Sequence, residues 1–170
     1  GRYYRTHPKA KDASMLGPMQ KQWLFDAMKR SQATFKVLIS PVPYSYKAKN
    51  SPDTWSGYRR ERDEIFDFLT QNRIEGVFLL AADRHRSDAW RIDREGDYPL
   101  YEFMSSCLTH QKHLIVDIKP ESLYGYNDKC SFGILAFDTE KADPEVTYKI
   151  ISIDNEPVRE MTLKRSQLGK

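Results

Sequence analysis

The sequence predicts an α/β domain in which a mixed sheet is flanked by two helices and followed by an antiparallel meander. Three observations carry this. Apolar β-branched runs at 35–40 and 77–82 are separated by a segment of helical period, which implies a parallel, right-handed crossover under a helix. The second run is apolar on both faces, as a strand covered on both sides must be. Near the carboxyl end, 131–137, 146–153 and 158–163 are short β-rich segments separated by turn chemistry, of which Asp154-Asn155-Glu156-Pro157 is the strongest.

The elements follow in order. Residues 1–14 carry Arg2, Arg5, His7, Lys9 and Lys11 between tyrosines and read as an extended leading segment. Gly17-Pro18 then marks a helix start, because proline in the first turn gives up an N–H that has no partner there. Leu16, Met19, Trp23, Leu24, Ala27 and Met28 recur at three- and four-residue spacing and predict a core-facing stripe. The strand at 35–40 is stopped by Pro41 and Pro43, and the irregular stretch 42–55 behind it is long enough to be a functional rim. A second helix over 58–69 buries Ile65, Phe66, Phe68 and Leu69, with Arg59–Asp63 and Arg60–Glu64 as expected surface pairs. After Trp90, 98–104 alternates weakly, and 113–118 is either a short strand or a loop.

At 170 residues the chain is one domain, 1–170, and 39% hydrophobic with 12% aromatic residues is a globular composition. The balance of 27 basic against 24 acidic residues, without a basic run, argues against nucleic-acid binding. No apolar run reaches transmembrane length. Cys107 and Cys130 are too far apart for a zinc knuckle, and either stay free and buried or form one bridge in an oxidising compartment. No Gly-rich phosphate loop and no nucleophile elbow is present.

The strand at 77–82 ends abruptly in Asp83-Arg84-His85-Arg86-Ser87-Asp88. Ligands of open α/β sheets sit beyond the carboxyl ends of strands, so this is the expected site. Asp83 and His85 offer an oxygen and a nitrogen donor to one metal ion; on spacing alone they equally fit a histidine oriented by a neighbouring carboxylate. Arg84 and Arg86 either present planar forks to a phosphate or salt-bridge Asp83, Asp88 or Asp93. His110 and His113, three apart, read as loop residues.

Taken in order, the residues Arg2-Tyr3-Tyr4-Arg5, Met15-Leu16-Gly17, Gln20, Trp23-Leu24, Asp53, Trp55, Gly57-Tyr58, Arg62, Asp83-Arg84-His85, Tyr98-Pro99-Leu100-Tyr101-Glu102, Ser105-Ser106, Leu108-Thr109 and Phe132-Gly133 resemble the carboxyl-terminal part of the PhoD-like alkaline phosphatase/phosphodiesterase family, within the calcineurin-like metallophosphoesterases. The resemblance implies half of a two-sheet metallophosphoesterase sandwich that hydrolyses phosphoric mono- or diesters with divalent or trivalent metal ions (Fe, Ca, Zn or Mn). Ala82-Asp83-Arg84-His85 falls on the family's late Gly-Asp-x-His metal block, although alanine replaces the glycine. It makes His85 a metal ligand, Asp83 a ligand or the group that orients the imidazole, and Arg84 or Arg86 the phosphate contact. The earlier Asp/Asn-rich blocks are not in this sequence, so the amino-terminal half of the same enzyme is the expected partner, and export to a periplasmic or extracellular location is implied. The rival expectation is a non-catalytic α/β binding or scaffolding module.

Overall fold

The computed structural model describes residues 13–105, 107–109 and 119–170. His7, Ser106, the Arg2-Tyr3-Tyr4-Arg5 segment, His110, His113 and the possible strand at 113–118 lie outside them. Helix α1 (Gly17–Arg30) leads into strand β1 (Lys36–Ile39), and helix α2 (Arg59–Gln71) into β2 (Val77–Ala81). A hairpin follows, β3 (Ser87–Arg94) and β4 (Asp97–Met104), then β5 (Ser122–Tyr126). The chain ends in β6 (Ser131–Asp138), β7 (Glu145–Ser152) and β8 (Pro157–Lys164).

The strands form two sheets, a mixed one in the order β1-β2-β4-β3-β5 and an antiparallel one in the order β6-β7-β8. β1 and β2 are parallel through the α2 crossover, as expected, and β2 is also parallel to β4. The second sheet is the expected meander. Its central strand β7 alternates strictly, sending Val146, Tyr148, Ile150 and Ser152 inward. There the Tyr148 ring stacks on Phe103 of β4 with centroids 4.5 Å apart, and its hydroxyl donates to the Met104 carbonyl at 2.6 Å. The core is therefore continuous between the sheets.

Two strands are additions to the sequence reading. β3 begins with Ser87 and Asp88, polar residues that are fully buried because each finds a buried partner, Ser131 for one and Arg86 for the other. The β3–β4 ladder carries a bulge in which Tyr98 and Pro99 oppose Asp93, the place where a strand tolerates a proline without an N–H. β5 completes the edge beyond β3.

The helices differ from expectation in detail. On α1 the core face is Leu24, Phe25 and Met28, while Met19 and Trp23 are 73% and 63% exposed. Phe25 stacks on Phe68 of α2 at 3.9 Å, which sets the rotation of α1 and turns Met19 and Trp23 outward. Asp63 and Glu64 take Arg62 and Lys21 as partners in place of the expected turn-spaced pairing. Gly76 enters β2 with φ of 74°, and a Cβ there would lie 2.3 Å from the Thr34 carbonyl oxygen, so only glycine fits.

Candidate functional site

The strand order creates the site. β4 lies between β2 and β3, so the five residues 82–86 leaving β2 must cross over the end of β4, two strand spacings or roughly 10 Å, and reverse direction. So short a bridge bends sharply. Asp83 and His85 both adopt left-handed backbone, φ 68° and 54°, which non-glycine residues visit rarely and at a cost of about 1–3 kcal/mol each. Ala82 is not among the positive-φ residues, so an alanine there meets no left-handed backbone.

Each side chain of this crossover has a defined place. Asp83 Oδ2 accepts from Lys49 Nζ at 2.9 Å, and the same ammonium lies 3.8 Å from Asp53. His85 is half-buried on the same short bend. Arg86 is 2% exposed, and its Nε lies 2.8 Å from Asp88 Oδ1, itself fully buried. Arg84 leans toward the same carboxylate, its Nε 3.6 Å from Asp88 Oδ2, beyond good hydrogen-bond length; that buried N–H makes no hydrogen bond among the described residues. Burial first, and the neighbouring Arg86 second, pull the Arg84 pKa below its ordinary value, with Asp88 opposing. Of the pairings open in the sequence, Asp88 is thus the ion-pair partner of both arginines, and Asp93 pairs with Arg91 instead.

The stretch 42–55 is packed against this strand end. Val42, Tyr44, Ala48 and Trp55 are buried, and Trp55 donates from its indole to Ser40 Oγ at 3.0 Å. Two anchors hold it. Glu102, fully buried on β4, accepts the backbone N–H groups of Tyr44 at 2.6 Å and Ser45 at 3.0 Å. Thr54 and Ser56 hydroxyls both donate to the Lys49 carbonyl, at 3.0 and 3.1 Å, which fixes the backbone that delivers Lys49 to Asp83. Lys49 was not legible as a site residue. Glu102 was not read as one either, although one signal could have found it: in Tyr98-Pro99-Leu100-Tyr101-Glu102 it shares the inward parity of Tyr98 and Leu100.

A PhoD-like phosphatase family model matches residues 2–133. The chain belongs to the PhoD-like phosphatase family. Over 92 residues, half of this chain, it is 30% identical to alkaline phosphatase D of Bacillus subtilis (strain 168), of which those residues span 15%. A solved structure of PhoD superposes over 88% of this chain with a TM-score of 0.59 at 18% identity, and the chain covers 36% of that structure. The fold expected from the resemblance is therefore the fold found, and the chain spans about a third of that PhoD structure.

The PhoD-like family implies metal, and the donors can be weighed against it. Asp83 and His85 supply hard oxygen and borderline nitrogen donors on one bend, a chemistry that suits iron, zinc or manganese. They are two donors, and no group of three or more His, Cys, Asp or Glu gathers among the described residues. A lysine ammonium on Asp83 shows that this carboxylate already holds positive charge. Two donors fit a metal only with further ligands from outside the described residues.

Proposed function

We propose that this chain forms one wall of the active site of a metal-dependent phosphoric ester hydrolase of the PhoD-like family, completed by an amino-terminal half of the same enzyme. The observation that supports it most is the bend at 82–86, where left-handed backbone at Asp83 and His85 sets a carboxylate and an imidazole at the carboxyl end of a buried strand. A metal bound there would polarise the phosphoryl oxygen and lower the pKa of bound water. His85 and Asp83 are the ligands this chain offers it. Lys49 holds Asp83 in position through an ion pair of 2.9 Å.

Arg84 is the better placed of the two arginines to meet a phosphate. It keeps some exposure, 17% of its side chain against 1% for Arg86, and its Nε–H has no acceptor among the described residues. Arg86 serves by fixing Asp88 beneath it. An apolar groove of about 920 Å³ opens beside the strand ends, lined by Ile39, Leu80, Ala82, Leu108, Phe132 and Leu135. Ile39 on the edge strand β1 is 73% exposed, and Phe132 on β6 is 38% exposed. We propose this face as the seat of the amino-terminal half. Export of the parent follows from the family reading; among the described residues no helix is long and apolar enough to cross a membrane.

The Lys49–Asp83 pair favours a second reading, a non-catalytic module in which the bend is structural. His85→Ala in the full-length parent separates the two. Hydrolysis by way of this wall predicts loss of bound metal and a fall of at least 100-fold in phosphoesterase rate. Unchanged metal content and rate would leave the non-catalytic reading.

A further inference from the structure

Cys107 and Cys130 are 23 positions apart in sequence, yet their sulfurs lie 3.3 Å from one another. Cys107 follows β4 in the first sheet and Cys130 precedes β6 in the second. The backbone on both sides is held independently of the sulfurs. Ser131 N–H donates to the Cys107 carbonyl at 3.2 Å, and Ile153 N–H donates to the Cys130 carbonyl at 2.8 Å. Cys107 has φ of 77°, an uncommon backbone for a residue other than glycine, and it brings a partly exposed thiol against a buried one.

We propose that Cys107 and Cys130 form an inter-sheet disulfide by exchange with a small-molecule disulfide. Only roughly 1 Å of side-chain adjustment separates the contact from bonding distance. Cys107, the more exposed, attacks first. Its thiolate displaces one thiolate from the incoming disulfide and becomes a mixed disulfide; Cys130 sulfur then attacks the Cys107 sulfur and releases the second thiol. Two protein thiols are oxidised, one small disulfide is reduced to two thiols, and the two protons leave with them. The hydrogen bond to Cys107 first and burial second raise the pKa of Cys130, which makes it the poorer first nucleophile and leaves it the second, intramolecular step.

The bridge would tie the floor of the apolar groove, where Ser105, Leu108 and Ser131 come together, across both sheets. It does not depend on the phosphatase reading, because neither cysteine belongs to the Asp83–His85 bend. Incubation of the full-length protein with excess oxidised glutathione, blocking of free thiols with N-ethylmaleimide under denaturing conditions and peptide mass mapping test it directly. The expected result is one peptide pair joined through Cys107 and Cys130, two mass units lighter than the sum, with Tm raised by on the order of 5 °C over the reduced protein. In Cys107→Ser the oxidant-dependent rise in Tm disappears. Recovery of both cysteines as separate maleimide or glutathione adducts would overturn the proposal without any variant having to fold.

Discussion

Glu102 shows how one residue can set the shape of a site it does not enter. Burial lifts its carboxyl from an ordinary 4.5 to about 7, against the pull of the Tyr44 and Ser45 N–H groups and of Arg62, while Asp88 adds to the rise. In the unfolded chain the group is ionised above about 4.5; folded, it keeps its proton to about 7. Across that window the folded protein holds a proton that the unfolded chain has released. Its contribution to stability is therefore full below pH 4 and is lost as pH rises through 7, by roughly 3 kcal/mol in all. Glu102→Gln removes the titration while keeping an acceptor for the 42–55 stretch. Urea unfolding at pH 5 and pH 8 checks this: wild type is expected to lose stability relative to the variant as pH rises, and parallel pH profiles would contradict it.

At the scale of elements, the two helices are joined by a carboxylate. Glu61, in the first turn of α2 and 3% exposed, accepts the N–H groups of Met15 at 2.5 Å and Leu16 at 3.3 Å together with the Ser14 hydroxyl at 2.7 Å. It anchors the chain entering α1 from another helix, while Ser14 Oγ accepts the Gly17 N–H at 2.7 Å and Leu16 makes no side-chain cap. Glu61→Ala is expected to cost about 2 kcal/mol in denaturant unfolding and Glu61→Gln about half as much; a neutral alanine variant would show that the anchor is dispensable. The sequence pattern disclosed the elements whose burial follows their period, namely α2, β2 and the meander. It did not disclose β3, because the buried polar pair Ser87-Asp88 becomes strand-like only once Arg86 and Ser131 are in place. It overstated the stripe of α1, where Met19 and Trp23 share the apolar spacing but Phe25 takes the contact with Phe68. For the site, the strand end and its charged bend were legible as chemistry placed after apolar run; Lys49, 34 residues from Asp83 in sequence, was not, because only the packed 42–55 stretch brings it there.

In the molecule as a whole, the two sheets share one core, and the contact between β4 and β7 joins them alongside Phe137 against Phe78 and Ser131 against Ser87. Tyr148 is the centre of that contact. Its ring lies on Phe103, its hydroxyl is bonded to Met104 and Ser105, and burial above all raises its pKa to about 12, so it stays a neutral donor at any ordinary pH. Gly133 on β6 lets the second sheet come this close to the end of β4, since a Cβ there would lie 2.3 Å from Ser105 Oγ. A core shared in this way predicts shared opening. In native-state hydrogen exchange, the amides of Leu79 in β2 and Ile150 in β7 should show equal protection free energies, both set by global unfolding. Tyr148→Phe should lower both by about 1–2 kcal/mol, the worth of a buried hydrogen bond, and Tyr148→Ala by about 3–5 kcal/mol as the ring contact is lost as well. If β7 instead opened at lower free energy than β2, and Tyr148→Ala weakened β7 alone, the meander would be a separate cooperative unit, and the strand-end site would stand on the first sheet without it.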